Sequence, residues 1–259
     1  MLKPNVLLLK LEESLSNNKF DYKTYIDELG QVEACKKRLN GFVFSFEEHL
    51  RGLIYSLLSN QRPWKKIAEN AKSIDKIFFN FDPKKIKETN PDHFIEKIKI
   101  IGCGNRAIKK QMESLCYNID IFLKIEAEND SLDKFVTSAT PKEIAIKLGG
   151  KGEYKLKQIG IPLASEYLKN VGIEAIKPDL QIMRILSKKR LGYLPGNSET
   201  QADKMEAVNK LEEIAKEIGC GATYLDNILW LFCADGYGEI CTSNPKCDVC
   251  KLSDNCNMM

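Results

Sequence analysis

Several things are missing from this 259-residue sequence, and each absence excludes something. No apolar run approaches the roughly 20 residues needed to cross a bilayer as a helix, so no membrane partner is expected. The N-terminal MLKPNVLLLKLEESL has a short apolar patch, but Lys10, Glu12 and Glu13 follow it and no small-residue cleavage site appears. It does not read as a secretion signal. Charge of one sign is not in excess: the formal net charge is only +3, which permits nucleic-acid binding through local patches without arguing for it. Alternating strand patterns, internal repeats and low-complexity linkers are absent. The nine cysteines form no even framework, because four crowd into residues 241–256 and the other five are scattered. An odd count and no secretion signal argue against disulfides, and the scattered five read as small buried hydrophobes. A cytoplasmic monomer is expected, nucleoid-associated in a bacterial or archaeal cell.

With 43% apolar and 29% charged residues the chain is a soluble, core-forming polypeptide. Nearly every long segment has helical periodicity, so the fold class is all-α. Helices are predicted over 7–17, 22–38, 46–59, 64–79, 84–90 and 222–234, with Leu50, Leu53, Ile54, Leu57 and Leu58 the buried stripe of the third. Thr140-Pro141-Lys142-Glu143 reads as a capping box opening a helix that stops at Gly149-Gly150. Met205, Val208, Leu211, Ala215 and Ile218 mark another amphipathic helix, ended by Gly219.

The organising stretch is LKQIGIPLASEYLKNVGIEAIKPDLQIMR, Leu156 to Arg184. It reads as a turn at Gly160, where glycine permits a backbone shape that a Cβ resists, then a helix in which small Ala164 allows close packing. Amides opening that helix can hold a phosphate. Beyond Gly172 comes a single carboxylate, Asp179, and SKKR (Ser187 to Arg190) adds positive charge past it.

This segment resembles the helix-hairpin-helix plus Asp signature of the endonuclease III superfamily of DNA glycosylases. IGIPLASEYLKNVG matches its G-x-G-x-x-x-A hairpin with Gln158 in place of the first glycine, and P-D-L-Q-I-M-R matches its Asp stretch with Gln181 in place of a His. Two further phrases follow the family. L-L-S-N-Q puts Gln61 where the family pushes a Gln into the duplex, and I-K-I-I-G-x-x-x-x-A resembles a second turn opening a long helix. Trp64 is a candidate stacking face, with a partly buried core Trp as the alternative.

The terminal cysteines, C-T-S-N-P-K-C-D-V-C-K-L-S-D-N-C, are spaced x5, x2, x5. Four thiolates so close together suit one metal centre, either zinc or iron–sulfur. The superfamily's own loop is spaced x6, x2, x5 and holds [4Fe–4S]. The resemblance therefore implies that Cys241, Cys247, Cys250 and Cys256 carry that cluster, with the first gap one residue short.

Together these landmarks span roughly residues 46–256 in the family's order. The implied architecture is two helical lobes flanking a DNA-binding cleft. A six-helix barrel with the hairpin would span 46–172, and residues 1–45 with 173–259 would build the cluster lobe. The implied partner is double-stranded DNA with a damaged or mispaired base. Gln61, Gln158, Gly160, Pro162 and Ala164 would meet the DNA, and Asp179 would stabilise the oxocarbenium-like transition state of N-glycosidic cleavage. Family members that also cut the strand carry a Lys two residues after the second hairpin glycine; Pro162 stands there, and Lys155 and Lys157 precede the turn. A monofunctional glycosylase using water is expected, with no AP-lyase step. The hairpin tail is most similar to the oxoguanine-removing branch, although that branch uses the missing Lys and lacks the cluster. The alternative function is a non-catalytic iron–sulfur protein that binds damaged DNA.

Overall fold

A computed structural model describes residues 3–60, 64–196 and 200–258. Among the described residues the chain is helical, with no strand. In order the α-helices are α1 Pro4–Asn17, α2 Tyr22–Leu29, α3 Gln31–Leu39, α4 Phe46–Leu58, α5 Trp64–Glu69, α6 Ala71–Ile77, α7 Pro83–Glu88 and α8 Pro91–Ile100. There follow α9 Ile108–Glu113, α10 Leu115–Glu128, α11 Leu132–Thr137, α12 Pro141–Gly149, α13 Ile161–Asn170, α14 Leu180–Leu186, α15 Gln201–Ile218 and α16 Ala222–Cys233.

They form two compact units, one from Met1–Glu33 with Glu174–Met259 and the other from Ala34–Ile173. Residues 34–45, grouped with the N-terminal helices in the sequence reading, fall in the second unit. Arg38 explains why. Its guanidinium grips both carboxylate oxygens of Asp133 at 3.0 and 2.7 Å and also donates to the Val171 carbonyl.

The predicted 22–38 helix is two helices, because Gly30 (φ 69°) takes the left-handed conformation and closes α2. Gly219 (φ 76°) ends α15 in the same way, as expected. The Thr140–Glu143 capping box opens α12, with the hydroxyl accepting from the Glu143 amide and the carboxylate from the Thr140 amide.

In the first unit Leu7, Leu11 and Leu15 form a fully buried stripe on α1. They belong to one core with Val208, Leu211 and Ala215 of α15 and Leu225, Ile228 and Leu229 of α16. In the second unit all five leucine and isoleucine positions predicted for α4 are buried. This core also holds a polar chain. Asp133 accepts from Arg38, from the Phe44 amide and from His49 Nε2, while His49 Nδ1 accepts from the Tyr167 hydroxyl at 2.7 Å. Burial alone would raise the Asp133 pKa, but the bonds from His49 and Arg38 outweigh it and hold the carboxyl well below its usual range. Burial pushes His49 down, so it stays neutral.

Candidate active site and cysteine loop

The hairpin lies wholly in the second unit. α12 ends at Gly149, residues 150–160 make the turn, and α13 follows. Buried Asn118 clamps the turn from both sides: its carbonyl accepts from the Lys157 amide at 2.8 Å and its amide donates to the Lys157 carbonyl at 3.0 Å. Gln158, which replaces the signature's first glycine, keeps a left-handed backbone (φ 62°). The turn thus retains a glycine-like conformation at a non-glycine residue.

Gly160 corrects the sequence reading. Its φ of −96° is open to any residue, and a Cβ there would meet only Pro162 Cδ at 3.8 Å. Side chains are excluded instead at Gly150, where a Cβ would stand 2.6 Å from Ile146 O, and at Gly149, where it would stand 2.7 Å from both Gly160 C and Ile161 N. The close approach of the two helices is therefore made at the end of α12, opposite the turn, and buried Ala164 lies within α13. Gly160 is the N-cap and no side-chain oxygen caps α13; Pro162 has no N–H to offer.

The α13 helix ends on the polar chain, through Tyr167 and through Arg38 to Val171 O. Left-handed Gly172 (φ 74°) then turns the chain where a Cβ would lie 2.4 Å from Ala34 O. The two hairpin lysines are occupied. The Lys155 ammonium donates to the carbonyls of Leu156 and Ile159, and burial lowers its pKa; Lys157 Nζ sits 4.1 Å above the Tyr117 ring.

Asp179 lies in the first unit, at the end of an extended run fixed to the start of α16. The Thr223 amide donates to Glu174, the Ala175 amide to the Thr223 hydroxyl, and the Lys177 amide to Asp226 Oδ1 at 2.8 Å. Asp179 then caps α14. Its Oδ1 accepts from the Gln181 amide at 2.9 Å and the Ile182 amide at 3.2 Å. Its Oδ2 stands 3.8 Å from Lys177 Nζ, and the two side chains are only 16% and 15% exposed. The carboxylate is thus aimed by backbone and placed beside an ammonium.

The four terminal cysteines lie in the same unit. Cys241 is buried and the other three are half-buried. Burial raises the Cys250 thiol to about 11, and the charges of Cys241, Cys256 and Cys247 add to the rise, so the four sulfurs are electrostatic neighbours. A fifth, fully buried thiol, Cys233, hydrogen-bonds to Cys241 and lowers its pKa, helped by Arg190 and Arg184. That donor chemistry fits a thiolate-bound group. Among the described residues, however, no three Cys, His, Asp or Glu side chains already stand as a ligand set.

The chain is similar to an 8-oxoguanine DNA glycosylase from Methanocaldococcus jannaschii, with 22% identity over 87% of this chain and 94% of that one and a TM-score of 0.59. It is also similar to the 8-oxoguanine glycosylase/lyase of the same organism in complex with a 15mer DNA containing 8-oxoguanine, with 21% identity, 87% and 96% coverage and a TM-score of 0.55. No protein-family model and no curated protein matches the chain. The chain has the helical fold of these glycosylases.

Of the residues singled out from sequence, Gln158, Gly160, Pro162 and Ala164 come together in one hairpin, and Asp179 and the four cysteines occupy the other unit. Gln61 lies outside the described residues. Trp64 packs on Tyr55, with ring centroids 6.1 Å apart. Sequence reasoning missed Gly149 as the contact glycine, Lys177 as the neighbour of Asp179, and Cys233 as the partner of Cys241. Two signals were available: the double glycine at 149–150, and a lysine two residues before the acid.

Proposed function

We propose that the protein is a base-excision DNA glycosylase that hydrolyses the N-glycosidic bond of a damaged or mispaired base. The observation that carries this reading is the Asp179 carboxylate, fixed by two amides through one oxygen and largely removed from solvent. Base departure leaves positive charge on the sugar, and a prepositioned carboxylate stabilises that charge without reorganising. The same group can orient the attacking water. The uncapped start of α13 would take a phosphate of the bound strand. The bifunctional chemistry of the family needs an amine at Pro162, and Lys155 is committed to hairpin carbonyls, so water is the nucleophile and an abasic site the product.

8-Oxoguanine is the first base to test, because the hairpin tail follows that branch and both similar structures are of 8-oxoguanine glycosylases. Cys241, Cys247, Cys250 and Cys256 would hold a [4Fe–4S] cluster, with Cys233, Arg184 and Arg190 favouring the thiolate form of Cys241. A brown, iron-containing protein is expected; a colourless zinc protein would replace the cluster and keep the hairpin.

The test is base release by anaerobically purified protein from duplexes bearing 8-oxoguanine, uracil, a G·T mismatch or an alkylpurine, with and without alkali, beside Asp179→Asn. Strand breaks that need alkali and vanish in D179N carry the proposal. Tight lesion binding with no released base from any duplex would leave a non-catalytic damage-binding protein instead.

A further inference from the structure

Base departure sets a problem that Asp179 alone does not answer. When the glycosidic bond breaks, its electron pair goes to the base nitrogen, and a neutral base leaves as an anion unless a proton reaches it. A carboxylate ionised to face the sugar has no proton to give. The donor has to be a second group beside the same sugar.

Lys177 is built into that place. Its amide donates to Oδ1 of Asp226, a residue only 1% exposed. The Asp179 amide donates to the Lys177 carbonyl at 2.7 Å, closing a three-residue turn around buried Pro178. The turn brings the two side chains together: Lys177 Nζ stands 3.8 Å from Oδ2, the oxygen that does not take the amides of α14. Leu180, the next residue, is 53% exposed, so the pair lies at the surface of its unit, open to an extruded nucleotide. The charge of Asp179 also acts on the Cys233 thiol, as does that of Arg184. That thiol is 1% exposed, and a guanidinium does not give up its proton, so neither competes with Lys177 as a donor. A permanent cation so close to Oδ2 would offset part of the carboxylate's field and oppose the charge growing on the sugar. Both effects vanish if the ammonium passes its proton to the base as the bond breaks.

We propose that Lys177 is the general acid of the reaction. The bond from C1′ to the base nitrogen breaks, its electron pair goes to the base, and one Nζ proton is transferred to the base. A neutral amine then stands beside Asp179 while the sugar carries the positive charge. Water adds to C1′, and its proton returns to Nζ through Asp179 Oδ2, which restores the ammonium. The proposal rests on the glycosylase reading, because an acid here needs a departing base.

The experiment uses the full-length, anaerobically purified protein and the duplex whose neutral base the wild type releases fastest. Single-turnover base release is followed for wild type, Lys177→Arg and Lys177→Ala. Each is measured in methylammonium chloride and in sodium chloride of the same ionic strength, and thermal melting is recorded beside it. Arginine keeps the positive charge next to Asp179 but holds its proton, so it separates charge from proton transfer. The expected result is a loss of about 10²–10⁴-fold in both variants with unchanged melting. Methylammonium should restore part of the K177A rate and leave K177R and wild type as they were. A K177R that releases base at the wild-type rate would overturn the proposal, because charge alone would then suffice. So would a K177A as fast as wild type. A loss in K177A that methylammonium does not restore would make Lys177 a support for Asp179 and overturn its role as acid. These outcomes leave the glycosylase reading standing. No base released by wild type from any duplex would remove that reading, and this proposal with it.

Discussion

Helices α13 and α14 each begin with amides that have no partner inside the helix, and they dispose of them differently. At α13 the N-cap is Gly160, with no side-chain acceptor, and Pro162 removes one donor altogether. At α14 the N-cap is Asp179, whose Oδ1 takes the amides of Gln181 and Ile182. The first start suits an external anion. The second supplies its own anion and uses the amides to aim a carboxylate. The same backbone physics thus leaves one helix start without a side-chain cap and fixes a charge at the other. The two are also anchored differently: α13 ends on a buried ionic chain, and α14 begins on an extended run pinned to α16.

The largest effect that would sharpen this contrast is Asp179→Asn. Asparagine caps a helix about as well as aspartate, so thermal stability should hardly move. Base release should fall by about 10²–10³-fold, read in single-turnover assays. A D179N protein that unfolds instead would make the carboxylate a fold element only.

Next is the anchor of α13. Asp133→Asn leaves Arg38 with a neutral partner and should cost about 3 kcal/mol in denaturant unfolding. The wild type should also lose stability in acid. His49 is held neutral, so the unfolded chain takes up its proton first as pH falls below about 6.5. Asp133 is held below its usual range, so its contribution is present above about pH 3.9 and is lost as pH falls from there toward its folded value. Both signs agree, and the acid limb should be shallower in D133N.

The glycine pair gives a smaller effect that can be scored within one hairpin. Gly149→Ala drives a Cβ into the Gly160–Ile161 backbone and should cost about 1–3 kcal/mol, whereas Gly160→Ala should cost less than about 1 kcal/mol. Equal costs would return the close contact to the turn itself. Thr140→Ala, which removes one cap of α12, should cost about 1 kcal/mol. Finally, borohydride should trap no DNA adduct. An adduct absent from Lys177→Met would instead assign the nucleophile to Lys177, the amine 3.8 Å from Asp179.

Much of this was legible in the chain, for local reasons. Capping boxes, glycine stops and apolar stripes act within one or two turns, so the sequence by itself determined the helical class, the box at Thr140 and Glu143, the stop at Gly219 and the order of hairpin, acid and cysteine loop. Contacts between distant residues were not legible. Arg38 meets Asp133 across 95 positions and Lys177 meets Asp226 across 49, and no local pattern announces either. Nor could spacing say which of the hairpin's glycines lies against the start of α13. That depends on how α12 comes back against the start of α13, so only the tertiary structure assigned the contact to Gly149 and left Gly160 ordinary. The same holds for Arg184 and SKKR. Charge along a sequence states only that cations are present; folding brought Arg184 and Arg190 beside Cys241, because α14 carries one and the turn after Ser187 the other.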